Sequence, residues 1–222
     1  MNDPRLAGGD GVLFYRWQAA TEPEDPPVVL LHGRTGDESV MWVVAEALPS
    51  AGLMIAPRGL FPSPDGGFSW SEPAPHRKPT FEELTPAVTA LGVLVDKLEL
   101  EGSLDRSRLI LVGFSQGAAL AFAAARDGRI RPKGIVALAG LLPEGDVTHL
   151  RQVPIFWGHG TRDKLVPIED ARFGAGRLRR AGAVVHFCEA DVDHRVGVEC
   201  MRGLKQWWLV HFSGNGSSDP GN

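Results

Sequence analysis

A chain of 222 residues and 23.9 kDa holds one large domain or two small ones, and a hydrophobic share of 43% fills a core, which excludes intrinsic disorder and collagen-like repetition. Its 23 basic against 27 acidic residues leave a formal charge of −4, so nothing draws it to phosphate backbones or anionic lipid, and nucleic acid is excluded as a main partner. The start Met1-Asn2-Asp3-Pro4-Arg5 lacks a signal-peptide pattern, no apolar run nears the roughly 20 residues that cross a bilayer, and Cys188 and Cys200 stand outside any CxxC pair: together these predict no stable membrane insertion, a cytoplasmic location and a fold that is no disulfide scaffold and suits a reducing compartment.

In chain order, strands are expected at Gly11–Trp17 and Val28–His32, a helix at Ser39–Leu48, and a strand at Leu53–Ala56. From Leu60 to Pro79 the chain is dense in Pro and Gly with Phe61, Phe68 and Trp70 between them. That is too irregular for an element and too aromatic for a solvated linker, so a long ordered loop with a functional role is expected. A helix follows at Thr80–Leu100, with Thr80 ahead of Glu82 and Glu83 as a start signal and Pro86 marking a later start with the ring in the first turn.

The second half alternates more regularly. Strands are expected at Leu109–Phe114, Gly134–Ala139, Ile155–Gly158 and Val184–Glu189, and helices at Gln116–Ala125, Pro167–Ala181 and Arg195–Phe212. Strands such as Val28-Val29-Leu30-Leu31 and Leu109-Ile110-Leu111-Val112 have no polar alternate. Such strands are covered on both faces, as in a mostly parallel sheet flanked by helices. The expectation is one α/β domain over residues 1–212 without a large lid, and a disordered Gly/Ser/Asn-rich tail at 213–222.

Chemistry enters at Gly113-Phe114-Ser115-Gln116-Gly117. The GxSxG pattern alone is weak, but here it sits directly after an apolar strand and directly before an Ala-rich helix, the order that thrusts a serine out on a sharp turn. Glycines two before and two after leave room for that turn, and the helix start directs its partial positive charge at a developing oxyanion. The bland alternative is a serine that merely caps a helix.

A serine hydroxyl needs an imidazole to take its proton and a carboxylate to orient that imidazole. Asp163 follows the strand Ile155–Gly158, and His194 follows Val184–Glu189, so both lie at the carboxyl edge of the sheet, where open α/β sheets bind ligands. His186 lies mid-strand and His211 late in a helix, which suits packing or surface roles. Asp191 and Asp193 flank His194 closely, and either is an alternative partner for it; Asp163 is preferred because a residue in the same tight turn rarely reaches Nδ1 while Nε2 faces the serine. The turn His32-Gly33-Arg34-Thr35-Gly36 after the strand Val28–Leu31 frees the N–H of Arg34, which with the N–H of Gln116 makes an oxyanion pair, with His32 as a support of the turn.

Five ordered pieces resemble the carboxylesterase/phospholipase family of α/β-hydrolases, which includes the acyl-protein thioesterases. They are Leu31-His32-Gly33-Arg34-Thr35-Gly36-Asp37-Glu38, Ala56-Pro57-Arg58-Gly59 leading to Gly66-Gly67-Phe68-Ser69-Trp70, the GxSxG, the stretch His159 to Pro167, and His194. The resemblance implies an α/β-hydrolase fold, a triad of Ser115, His194 and Asp163, and oxyanion donors at Arg34 and Gln116. One departure stands out, because the family has glycine just before its histidine and this chain has Asp193.

The expected activity is hydrolysis of short- to medium-chain acyl esters through an acyl-enzyme, with a small-molecule ester as partner and neither cofactor nor metal, and with the oligomeric state open, a dimer included. Phe61, Phe68, Trp70 and Leu165 are the candidate walls of the substrate pocket, against an equal expectation that they pack the loops. Alternatives are a thioesterase or lysophospholipase with the same triad, and a non-catalytic ligand-binding protein on the hydrolase scaffold. Dienelactone-hydrolase-like chemistry is disfavoured by a serine nucleophile, and a nucleotide-binding oxidoreductase by the lack of GxGxxG after the first strands and of a GxxxxGK[ST] loop.

Overall fold

The computed structural model describes residues 4–9, 11–72 and 78–212. Residues 213–222, expected to form a disordered tail, and positions 73–77 of the aromatic loop lie outside the described residues. The main sheet has eight strands: β1 (Arg5–Gly9), β2 (Val12–Gln18), β3 (Val28–Leu31), β4 (Met54–Pro57), β7 (Ile110–Phe114), β8 (Gly134–Leu138), β9 (Pro154–Gly160) and β10 (Val184–Ala190). Their spatial order is β1-β2-β4-β3-β7-β8-β9-β10. From β4 to β10 all neighbours pair in parallel, while β2 runs against both β1 and β4. This is an α/β-hydrolase fold.

Alternation along the parallel strands splits the core in two. Val29, Leu31, Ile55, Leu111, Ile135, Ile155 and Trp157 join one buried cluster with residues of α2 (Thr85–Leu100), α3 (Gln116–Asp127) and α4 (Ile168–Arg180). Val28, Leu30, Met54, Ile110, Val112, Val136 and Phe156 join the other, with α1 (Trp42–Ala45) and α5 (Val198–Phe212). Both faces are therefore dry. That is why Val28-Val29-Leu30-Leu31, 0% exposed throughout, has no polar alternate; each such side chain contributes about 1.5–3 kcal/mol by leaving water.

At α2 the later start that Pro86 marks is the one observed, whereas α1, the aromatic loop and β1 depart from the sequence expectation. The reciprocal box at Thr80 does form, with Glu83 N–H donating to Thr80 Oγ1 (3.2 Å) and Thr80 N–H to the Glu83 carboxylate (2.8 Å). It holds a turn ahead of α2, however, because Pro86, in the first turn, lacks an N–H and its ring crowds the preceding carbonyls. The helix expected at Ser39–Leu48 shrinks to α1, flanked by tighter turns such as Ala47 N–H to Val44 O and Leu48 N–H to Ala45 O. Within the aromatic loop two short strands form a hairpin, β5 (Phe61–Pro62) and β6 (Phe68–Ser69), and β1 was not expected at all.

The cysteine expectation is corrected outright. Cys188 on β10 and Cys200 on α5, 12 positions apart in sequence, form a disulfide with Cα atoms 5.6 Å apart. Spacing in the chain gave no sign of it, because the contact is made by packing α5 across the last strand. Among the described residues no helix is long and apolar enough to cross a membrane.

Candidate active site

Ser115 stands between β7 and α3 with φ 52° and ψ −115°, a left-handed conformation that costs a non-glycine residue about 1–3 kcal/mol. The surroundings force it. Ser115 N–H donates to Leu138 O on β8 (2.9 Å), and Ser115 O accepts from Ala118 N–H (3.1 Å). A Cβ on Gly117 would lie 2.1 Å from Leu31 O, and one on Gly113 would lie 2.4 Å from the Gly117 backbone. Strand and helix can approach this closely only with glycine at both places. The serine side chain does not cap α3, so the bland alternative fails and the hydroxyl is left free for other work.

The acid and the imidazole meet at the same sheet edge. Asp163 follows β9 and is fully buried in its side chain, and His194 lies in the turn between β10 and α5 with its side chain 18% exposed. His194 Nδ1 sits 2.7 Å from Asp163 Oδ2. A carboxylate only accepts, so the ring N–H at Nδ1 is the donor and Nε2 is left as an acceptor. The other carboxylate oxygen accepts from Leu165 N–H and Val166 N–H, both at 2.9 Å, which solvates the buried charge with backbone donors. The His194 ring packs against Phe114, the residue before Ser115, with centroids 5.1 Å apart. Asp191 and Asp193, the alternative partners, are engaged elsewhere. Arg162 Nε pairs with Asp191 Oδ1 at 2.9 Å, and the Arg195 guanidinium forks onto both oxygens of Asp193, holding that carboxyl below its ordinary range.

His159 was not singled out in the sequence. It is buried beside Asp163, with Nε2 3.5 Å from Asp163 Oδ2 and 2.8 Å from Val166 O. The Trp157 indole N–H reaches its Nδ1 at 3.4 Å. Donation from Nε2 to the carbonyl and acceptance at Nδ1 define a neutral ring, and burial lowers its pKa against the pull of the carbonyl and the carboxylate.

The turn after β3, the candidate oxyanion side, is tied by a buried network. His32 donates from Nδ1 to Gly33 O (2.7 Å) and accepts at Nε2 from Gly59 N–H (2.9 Å). Burial lowers its pKa too, so it is a neutral brace. Trp70 donates its indole N–H to His32 O (2.7 Å), and its ring packs on the imidazole at 4.7 Å. Thr35 N–H donates to Phe68 O and Phe68 N–H to Gly36 O, which staples the β5–β6 hairpin to the turn. Arg34 N–H meets no acceptor among the described residues, and Gln116 is the first residue of α3, whose N–H has no partner within the helix.

The Gln116 side chain does what the sequence did not suggest. Its Oε1 accepts from Trp70 N–H (3.0 Å) and its Nε2 donates to Ser71 Oγ (3.0 Å). No local pattern links positions 45 or 46 apart. Behind the turn, Arg58 forks onto Glu38 with two bonds of 2.6 Å, depressing the Glu38 carboxyl, and lies over the rings of Phe14 and Phe68.

Of the four candidate pocket walls, Leu165 is 71% exposed and lines a cavity of about 650 Å³ together with His194, Asp193, Arg162, Lys164 and Arg195. Phe61 and Phe68 are half-buried on the hairpin. Trp70 is 0% exposed, so in this structure it supports the turn after β3 and forms no open wall. Among the described residues no group of three or more His, Cys, Asp and Glu side chains is placed to hold a metal.

Residues 16–209 match the family model described as Phospholipase/Carboxylesterase. The chain belongs to this family. Among curated relatives, acyl-protein thioesterase 1 of Cryptococcus neoformans is 35% identical over 89 residues, 36% of this chain and 36% of that protein. The chain thus spans about a third of that relative's length. Acyl-protein thioesterase 1 of Kluyveromyces lactis is 24% identical across 86% of this chain and 94% of its own length. A solved carboxylesterase of Bacillus cereus superposes with a TM-score of 0.84 at 21% identity, covering 91% of this chain and 96% of that one; at that identity the likeness is one of fold.

Membership of the phospholipase/carboxylesterase family places the chain among relatives named as acyl-protein thioesterases and carboxylesterases. It also makes the position of Asp193 informative. Gly160 fits so tightly under the histidine turn that a Cβ there would lie 2.2 Å from Asp193 O, so the backbone of the turn is fixed while the Asp193 side chain points to Arg195 in solvent.

Proposed function

We propose that the chain is a serine carboxylic-ester hydrolase working through an acyl-enzyme on short- to medium-chain acyl esters. The observation that carries this reading is the 2.7 Å contact of His194 Nδ1 with buried Asp163, made where the ring packs against the residue before the strained Ser115. With Nδ1–H held by the carboxylate, Nε2 takes the Ser115 proton as the hydroxyl oxygen attacks the carbonyl. The N–H groups of Arg34 and Gln116 receive the oxyanion. Collapse expels the alcohol, protonated by His194, and water activated by the same imidazole then releases the acid and restores the hydroxyl.

The test is a panel of esters with acyl chains of increasing length, assayed with Ser115→Ala alongside. The variant should lose at least about 10³-fold in kcat and all labelling by a fluorophosphonate probe. Activity that survives the substitution, or a wild-type chain that the probe leaves unlabelled, would favour the non-catalytic reading. The relatives named acyl-protein thioesterase support thioesters as a second substrate type, and matched oxygen esters and thioesters separate the two. A cytoplasmic location is part of the proposal, and the disulfide counts against it, because cytosolic thiol pools keep such pairs reduced; alkylation of Cys188 and Cys200 on cell lysis decides the point.

A further inference from the structure

The cavity beside His194 carries a charge imbalance that ester hydrolysis itself does not need. Three cationic side chains line it, Arg162, Lys164 and Arg195, with Asp193 as the lining acid. Both arginines are already matched. Arg162 holds Asp191 through the carboxylate (2.9 Å) and the main-chain oxygen (2.7 Å), and Arg195 holds Asp193 with its fork, one bond at 3.0 Å. Lys164 is exposed and has neither hydrogen bond nor ion pair with any described residue. Its backbone is held at the rim of the cavity, because Asp163 before it is buried and bonded to His194 while Val166, two positions on, is buried. Its neighbour Leu165 presents an apolar surface to the same cavity. The site therefore offers a histidine, an apolar contact and one uncompensated ammonium within a single opening.

We propose that this cavity selects esters carrying an anionic group, a carboxylate or phosphate, on the part of the substrate away from the scissile bond, with the Lys164 ammonium pairing with that group and Leu165 covering the chain between. The proposal rests on the ester-hydrolase reading where turnover is the readout. Lysine at this place is a point charge with no preferred planar partner, free to meet a ligand.

The experiment compares matched ester pairs, with the carboxylate on the acyl side in one pair (nitrophenyl hemiglutarate against nitrophenyl valerate) and on the alcohol side in the other (acetoxybenzoate against its methyl ester). In wild type the anionic member should be favoured, through KM, in at least one pair, and that pair identifies the side. In Lys164→Gln the anionic-to-neutral ratio of kcat/KM should fall about five- to tenfold, the size expected of one partly exposed charge pair. Lys164→Arg should recover part of it, and added salt should shrink the wild-type ratio. A ratio that is the same in wild type and Lys164→Gln overturns the inference while leaving the hydrolase reading intact. Binding supplies an arm free of turnover: in the Ser115→Ala protein, glutarate should perturb the His194 ring resonances at several-fold lower concentration than butyrate, and Lys164→Gln should remove the difference. Equal binding of the two acids overturns the proposal even if no ester is hydrolysed, an outcome that by itself would sink only the hydrolase reading.

Discussion

The two halves of the candidate site are held by different means. On the nucleophile side, Ser115 is fixed by main chain pressed on main chain, with Gly117 against Leu31 and a buried net running from Gln116 through Trp70 to His32. On the base side, His194 rides a turn secured by one buried carboxylate, two arginine–aspartate pairs in solvent and a disulfide that joins Cys188 before the turn to Cys200 after it. The first arrangement resists displacement because no part of it can move alone in a close-packed interior. The second is a short loop whose order depends on a few separable ties, so perturbing it should change rate before it changes the fold.

Breaking the one buried tie on the base side has the largest expected effect. In Asp163→Asn the side-chain oxygen can still accept from Leu165 and Val166, but the amide presents hydrogens to His194 Nδ1. The ring must then accept there and carry its proton on Nε2, the wrong tautomer for a base. A loss of about 10³- to 10⁴-fold in kcat is expected with little change in KM. Steady-state kinetics alongside a thermal melt checks that the fold is kept; a loss below about tenfold would show that Asp163 does not orient the base.

The counterpart on the nucleophile side is Gly117→Ala. Its added methyl would have to share the space of Leu31 O, and β3 and α3 cannot separate without opening both the serine turn and the core around it. About 3 kcal/mol or more of stability should go, read as a lowered denaturant midpoint or as failure to express in soluble form. Between these lies the disulfide. Closing a loop with 12 positions of separation restricts the unfolded chain by up to about 3 kcal/mol, and the same bond confines the His194 turn. Reduction with a dithiol, or Cys188→Ser with Cys200→Ser, should lower the melting temperature and reduce kcat several-fold while Ser115 still reacts with a fluorophosphonate. Unchanged kcat after complete reduction would show that the ion pairs and Asp163 hold the turn unaided.

The same contrast decides what was legible in the sequence. The strained turn at Ser115 was readable because steric demand writes itself locally: Gly113 and Gly117 at fixed offsets from Ser115, an apolar strand before and alanines after. Strand positions followed from covering both faces of the sheet. The ties on the base side are non-local. Cys188 meets Cys200 only once α5 has packed on β10, and His159 becomes a neighbour of Asp163 only when the loop after β9 folds back to bring Val166 O onto its ring. Trp70 looked like a pocket wall because a sequence shows an aromatic in a loop but not the direction it faces; its indole turned inward to meet His32 O.

The smallest effect distinguishes the halves by titration. Each carries one buried neutral imidazole, His32 under the oxyanion turn and His159 beside Asp163, and burial lowers both from an ordinary value of 6.5. The unfolded chain takes up protons on these rings before the folded one does. Their contribution to stability is therefore complete above about pH 6.5 and is lost as the pH falls below it towards the folded values, at up to about 1.4 kcal/mol per pH unit for each ring. For His32 a second proton would fall on Nε2, where Gly59 N–H already donates, so protonation breaks a bond as well as burying a charge. For His159 it would fall on Nδ1, where the partner is a longer contact of 3.4 Å from Trp157, and the nearby Asp163 carboxylate would offset part of the charge. Acid should accordingly act on the base side first. Following the two ring resonances from pH 8 to pH 4.5 should show His159 titrating at the higher pH, and His159→Gln should flatten the fall in melting temperature over the upper part of that range. Titration of His32 ahead of His159 would reverse the ranking and make the rigid half the acid-sensitive one.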